Sequence, residues 1–164
     1  MTALDARDLA ILKAVAANGR ITKVELAEQI GLSPSPTWTR LKRLEKAGLI
    51  EGYGARLNLR RLGPSVTVFV AAELGEHKAA SFQGFEQAVQ GLKEVVACWA
   101  LGGGFDYLLQ IVTRDIESYQ ALIDHMLEAR IGLARYFTYI VTKPVKGPGL
   151  PPLDLLFGDA FARG

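Results

Sequence analysis

Seven residues between Ser35 and Lys46 carry the chemistry most readily assigned in this chain: Ser35, Trp38, Thr39, Arg40, Lys42, Arg43 and Lys46. Cations, hydroxyls and an indole in so short a stretch suit a polyanion. Guanidinium and ammonium groups bind phosphate, and hydroxyls bind phosphate or base edges. Thr37, Leu41 and Leu44 recur at helical spacing and claim the inward face, which turns Ser35, Trp38, Thr39, Lys42, Arg43 and Lys46 outward. Thr39, Lys42 and Arg43 are then placed to reach base edges or phosphates. Ser35, with the N–H groups of the helix start, suits a phosphate. Arg40 lies at the border of the two faces, where it either grips phosphate or anchors the fold. Trp38 has no room on the apolar face, so it is exposed, meets a partner, or packs against the first helix.

Other chemistry is poorly supplied. His77 and His125 are the only histidines, and neither has a partner at metal-ligand or catalytic-triad spacing, so both read as solvated. There is no Cys/His metal cluster, phosphate loop or nucleophile elbow. No catalytic residue, metal site or cofactor is expected. The single cysteine, Cys98, cannot form an internal disulfide.

The elements that position the cationic stretch are three short helices within residues 5–48. The first carries Ile11, Leu12 and Val15 and stops near Asn18-Gly19. Thr22 and Glu25 form a capping box for the second, which buries Leu26, Ala27 and Ile30 and stops at Gly31. The third starts in Ser33-Pro34-Ser35-Pro36, with Ser35 as N-cap and Pro36 at the first helical position, and ends at Gly48. Helix, tight turn and helix across Glu25–Gly48 are the parts of a helix-turn-helix, whose second helix enters the major groove of double-stranded DNA. Leu49–Tyr53 reads as a short strand leading into a linker.

Beyond Ser65 the period changes. Strands are expected at Val66–Leu74, Val95–Leu101, Tyr107–Val112 and Ala134–Thr142. One helix bears Phe82, Phe85, Val89 and Leu92; another starts at Asp115 and bears Tyr119, Leu122, Ile123 and Met126. The order is βαββαβ, the ferredoxin-like pattern, so the fold class is α+β. Two helices cover only one face of a four-stranded sheet. Yet the second strand is apolar on both faces, with Val95, Ala97, Trp99 and Leu101 on one and Val96, Cys98 and Ala100 on the other. The fourth offers Phe137, Tyr139 and Val141 against Tyr136 and Ile140. A second copy packing on the bare face is the simplest cover, so a homo-oligomer is expected. The boundaries that follow are 1–53 for the helix-turn-helix, 54–64 for strand and linker, 65–142 for the oligomerising βαββαβ domain, and 143–164 for a proline-rich tail. The tail either packs on a neighbouring subunit as an arm or docks locally.

Net charge is only +2, but residues 1–60 carry ten Lys/Arg against six Asp/Glu, and residues 61–164 nine against eleven. The basic half faces a polyanion; the other half does something else. The start, Met1-Thr2-Ala3-Leu4-Asp5, lacks the apolar run of a signal peptide, and no stretch approaches the ~20 apolar residues of a membrane span. A cytoplasmic protein without membrane partners is expected.

The chain resembles the Lrp/AsnC (feast-or-famine) family of transcription regulators over about residues 4–146. The resemblance rests on Asn18-Gly19-Arg20-Ile21, Glu25-Leu26-Ala27, Gly31-Leu32-Ser33, Arg40-Leu41, Leu44-Glu45, Gly48-Leu49-Ile50 and Gly52-Tyr53. In the second half it rests on Glu94-Val95, Gly103-Gly104-Phe105-Asp106-Tyr107-Leu108-Leu109 and Thr138-Tyr139-Ile140-Val141. It implies a winged helix-turn-helix joined to the βαββαβ domain, dimers that assemble to octamers, and a small amino acid or related metabolite bound between subunits. The effector site it implies is the turn Gly103, Gly104, Phe105 and Asp106: glycine N–H groups meet a carboxylate and Asp106 meets an α-ammonium. Trp99, Tyr136 and Thr138 are candidate walls. Two positions depart from the family pattern: Gly104, often acidic or amide in relatives, and Tyr136-Phe137, which replaces small or charged residues. Two other readings compete: an enzyme on the same scaffold, resembling tetrapyrrole decarboxylases, and a metabolite-sensing module without DNA binding.

Overall fold

The computed structural model describes residues 4–147 and 149–161, with backbone alone from residue 158. Met1-Thr2-Ala3 and Pro148, read above from sequence, lie outside the described residues. The chain divides into two units. One joins the residues up to Arg56 with those from Lys146 on; the other is Leu57–Val145.

The first unit is built on α1 (Ala6–Ala17), α2 (Lys23–Ile30) and α3 (Pro34–Lys46). Ile11, Ala14, Val15, Leu26, Ile30, Leu41 and Leu44 form its core. The expected stops at Gly31 and Gly48 hold for physical reasons. Gly31 and Gly48 adopt left-handed φ of 65° and 71°, where an L side chain is strained. After α3, Gly48 N–H and Leu49 N–H close on the carbonyls of Glu45 and Leu44, a Schellman motif. The Thr22–Glu25 capping box is present, and α1 carries a second one. Asp8 N–H donates to Asp5 Oδ1 at 2.9 Å and Asp5 N–H to Asp8 Oδ2 at 3.1 Å.

Two expectations need correction. The third helix begins one Ser-Pro pair earlier than read: Ser33 is the cap, Pro34 is the first helical residue and Ser35 lies inside the helix. Ser33 is extended, as a residue before proline prefers, and Thr37 N–H and Oγ1 both bond its carbonyl at 3.3 and 2.9 Å. Pro36 is tolerated because no intrahelical N–H bond exists yet in the first turn. The segment Leu49–Tyr53 is not a strand. Leaving the Schellman turn, Ile50 packs on the helical core and Tyr53 OH donates to Glu45 Oε1 at 3.0 Å.

The tail docks on its own chain. Helix α7 (Leu153–Phe161) lies along α1, where Leu153 is half-buried beside Leu12, Val15 and Ala16 and Lys13 Nζ meets Asp154 Oδ2 at 2.7 Å.

The second unit opens on a four-residue helix α4 (Leu59–Leu62) where strand and linker were expected, then follows the expected order: β1 (Val66–Leu74), α5 (Ala79–Gln90), β2 (Val95–Ala100), β3 (Tyr107–Thr113), α6 (Ile116–Glu128) and β4 (Leu133–Ile140). The sheet order is β2-β3-β1-β4, antiparallel throughout. Val68, Val70, Ala72, Leu74, Leu109 and Ile111 pack under Phe85, Val89, Tyr119, Ile123 and Met126 of the two long helices. Asp115 caps α6 through Ser118 N–H at 2.7 Å, and bonds to Ser118 and Arg114 bring its carboxyl down to about 2. A register break between Val95 and Ala97 corrects the face reading of β2: Val95 joins Cys98 on the helix side, while Ala97 and Trp99 face away. The far face carries the cross-strand row Trp99, Leu108, Ala71 and Phe137, then Ala97, Gln110, Phe69 and Tyr139. Trp99, Phe137 and Tyr139 are 47%, 42% and 54% exposed, so this apolar face is bare in the single chain.

What aims α3 is the acidic start of α1. The Asp8 side chain is 1% exposed, and its oxygens accept from Arg40 Nη1 at 2.9 Å, Arg43 Nη2 and Asp5 N–H. Arg40 also donates to Asp5 Oδ2 at 2.7 Å. Asp8→Asn removes a buried charge and turns an amide N–H₂ toward donors. The variant should lose about 2 kcal/mol of stability, read as a lower urea midpoint by Trp38 fluorescence in a Trp99→Phe background. An unchanged midpoint would show that the clamp does not hold α3.

Candidate functional site

On α3, Ser35, Thr39, Lys42, Arg43 and Lys46 are exposed, and Trp38 and Arg40 half-buried. Ser35, Thr39, Lys42 and Lys46 fall at i, i+4, i+7 and i+11, one stripe opposite the buried Thr37, Leu41 and Leu44. The two prolines thin the donors at the helix start. Pro34 and Pro36 have no N–H and Thr37 N–H is spent on Ser33, which leaves Ser35 N–H as the free backbone donor of the first turn.

The cations of α3 are largely engaged by the protein itself. Arg40 sits between Asp5 and Asp8, and those hydrogen bonds push its pKa up. Burial works against ionisation of Asp5, but the Asp8 N–H and the Arg40 guanidinium outweigh it and hold the carboxyl below its usual 3.8. Arg43 reaches Asp8 while staying partly open to solvent. Lys42 Nζ lies 2.6 Å from Glu45 Oε2, and this bond depresses the Glu45 carboxyl. Trp38 resolves its alternatives by packing on the helical core with its indole under two ammonium groups, Lys23 at 3.7 Å and Lys42 at 4.7 Å from the ring centroid. Among the described residues, Lys46 alone of the α3 cations has no carboxylate partner.

In the second unit the turn after β2 brings Gly103, Gly104, Phe105 and Asp106 together. Gly102, Gly103 and Gly104 are exposed, and Phe105 meets Phe137 edge-on at 5.3 Å. Asp106 is built into the sheet margin: Oδ2 accepts from Leu74 N–H at 2.8 Å, its N–H donates to the Ala72 carbonyl at 2.9 Å, and its carbonyl accepts from Leu101 N–H at 2.8 Å. Its Oδ1 lies 3.2 Å from His77 Nε2. The three wall candidates are not on one side. Trp99 is on the bare face, whereas Tyr136 packs into the core beneath the helices and the Thr138 hydroxyl bonds to Tyr119 OH of α6.

Sequence reasoning missed His77 beside Asp106, Phe137 beside Phe105, and the acidic partners of Arg40 and Arg43. A signal for the last was present. Asp5 and Asp8, like Arg40 and Arg43, are three apart, so each pair presents on one helix face at matching pitch. Among the described residues no group of three or more His, Cys, Asp or Glu could hold a metal ion, and no helix is long and apolar enough to cross a membrane.

Comparison with known proteins agrees with this geometry. Residues 4–51 match the winged helix-turn-helix DNA-binding model, and residues 67–150 match the Lrp/AsnC ligand binding domain. The chain is 54% identical over 145 residues to the transcriptional regulatory protein DoeX of Halomonas elongata, covering 88% of this chain and 92% of the relative. It is 40% identical over 144 residues to the leucine-responsive regulatory protein of Haemophilus influenzae, covering 88% and 87%. A transcriptional regulator from Neisseria meningitidis, solved in complex with L-Met, superposes with a TM-score of 0.85 at 33% identity over 93% of this chain and 99% of its own. With an exposed α3 stripe on one unit and a βαββαβ sensor fold in the other, the chain belongs to the Lrp/AsnC family of transcriptional regulators.

Proposed function

We propose that the chain works as a homodimer, assembling further to octamers, whose paired α3 helices read double-stranded DNA in the cytoplasm. A small amino acid or close derivative, held at the Gly103–Asp106 turn, sets its affinity. The α3 stripe carries the DNA half of this reading, because it offers hydroxyls and ammonium groups on a helix whose other faces are occupied by the fold. Ser35 and Thr39 lie toward the helix start, where base edges are met, and Lys42 and Lys46 follow toward phosphate. Arg40 and Arg43 serve first as the bolts that aim the helix. The protein acts by binding rather than by catalysis, a reading supported by its match to DNA-binding and ligand binding domain models.

The bare sheet face supports the dimer. Aromatic rows of this size are rarely left in water, and a second copy offers the complementary surface by symmetry. For the effector, exposed glycines leave backbone N–H groups open to a carboxylate, and Asp106 Oδ1 points toward His77, where an ammonium would compete with the imidazole. The methionine complex of the Neisseria relative favours a ligand of amino-acid class.

Three measurements test this reading. In fluorescence anisotropy on a mixed-sequence duplex pool, Lys42→Ala/Lys46→Ala should reduce the salt slope by about 1 to 2, at roughly 0.9 for each phosphate no longer neutralised; an identical slope removes α3 from the interface. Tyr139→Glu should shift sedimentation toward the monomer, and an unchanged assembly would place the subunit interface elsewhere. In a thermal-shift panel of amino acids, Asp106→Asn should abolish the stabilisation by whichever ligand raises the wild-type Tm. Full stabilisation of that variant would locate the pocket away from the turn.

A further inference from the structure

We propose that Arg56 and Lys146, at the places where the chain leaves the helical unit and returns to it, form a second phosphate-binding point outside α3, set in place by the docked tail. This rests on the DNA-binding reading and adds a site to it. The Arg56 guanidinium lies along the returning backbone, with Nη2 3.5 Å from where a Cβ on Gly147 would stand, and Lys146 is the preceding residue. Both cations are exposed, and among the described residues neither has a carboxylate partner. That contrasts with α3, where Arg40, Lys42 and Arg43 each rest on an acidic side chain. An unpaired cation releases its full counterion equivalent on meeting phosphate, whereas a paired one must first give up its carboxylate.

The tail gives Lys146 its place. Leu153 is half-buried beside Leu12, Val15 and Ala16 of α1, and Asp154 meets Lys13, so α7, a few residues beyond Lys146, is anchored on the same unit as α3. An exposed guanidinium beside the backbone that carries an exposed lysine, neither of them met by a carboxylate, suits an anion recognised by charge density rather than shape, which the DNA backbone supplies for any sequence.

The test uses the full chain and a mixed-sequence duplex pool, with anisotropy titrations across a salt series and circular dichroism confirming each variant folded. Arg56→Ala/Lys146→Ala should lower the slope of log affinity against log salt by about 2. Lys78→Ala/Lys93→Ala, an equal loss of charge on the other unit, should leave the slope at the wild-type value. Leu153→Ser changes no charge but unseats the tail, and should lower the slope part of the way. A wild-type slope in Arg56→Ala/Lys146→Ala, with Lys42→Ala/Lys46→Ala still reducing it, would overturn this site and leave α3 recognition standing. Equal reductions from the two charge-matched pairs would reduce the effect to net charge and likewise overturn it. A wild-type slope for Leu153→Ser would overturn the role of the tail. Absence of salt-dependent binding by the wild-type chain would remove both readings together.

Discussion

The orientation of α3 depends on one buried carboxylate. Asp8 sits one turn into α1 and receives Arg40, Arg43 and the Asp5 backbone, so a charge that would be costly alone is fully met by donors. The two arginines remain partly solvated, and only the acid loses its water. That asymmetry makes the arrangement inexpensive. It also fixes rotation about the α3 axis, because arginines one turn apart must both face α1. With that face and the Thr37–Leu41–Leu44 face assigned, the stripe from Ser35 to Lys46 has one direction left, outward.

The sensor unit solves a different problem. Its helices cover one face of the sheet, and the buried set Val68, Val70, Leu109 and Ile111 provides stability on that side alone. The register break in β2 then sends Ala97 and Trp99 to the other face, where β1, β3 and β4 add Phe69, Leu108, Phe137 and Tyr139. The glycine turn projects from the edge of this face, with Phe105 against Phe137. In the proposed dimer, a ligand at the turn and a subunit on the face would therefore meet a shared aromatic group. This gives a physical route by which one influences the other, provided each prefers a different setting of that pair.

Much of this was legible in the residues. Apolar periodicity located every long helix and strand, and the Thr22–Glu25 box and the glycine stops followed from local chemistry that tertiary packing does not overrule. What escaped was of two kinds. Ser33-Pro34 and Ser35-Pro36 offer the same cap, and only the packing of Thr37 decides between them. Leu49–Tyr53 has strand composition, yet a strand needs a partner, and the composition of one segment cannot reveal that none is paired with it. The faces of β2 turned on a bulge, and a slip of one residue inverts every later side chain. For the same reason Trp99 could not be told from Tyr136 and Thr138, which look into the helices. The meeting of His77 with Asp106 joins groups 29 positions apart and leaves no local trace.

The prolines at the start of α3 show how the helix balances two demands. Pro34 and Pro36 fix φ before anything binds, so the entry to the helix loses little freedom on docking. The same rings remove two of the N–H groups that a helix start ordinarily offers to an anion. The start of α3, the end that the proposed reading turns to the duplex, is thus rigid but poor in backbone donors. Side chains must compensate, and most of the α3 cations already hold carboxylates. In the proposed complex, Arg40, Lys42 and Arg43 would therefore exchange ion pairs rather than create them, which favours reading of groove chemistry by Ser35 and Thr39 over bulk attraction. Affinity that depends on charge alone would then rest on Lys46 and on cations outside the helix.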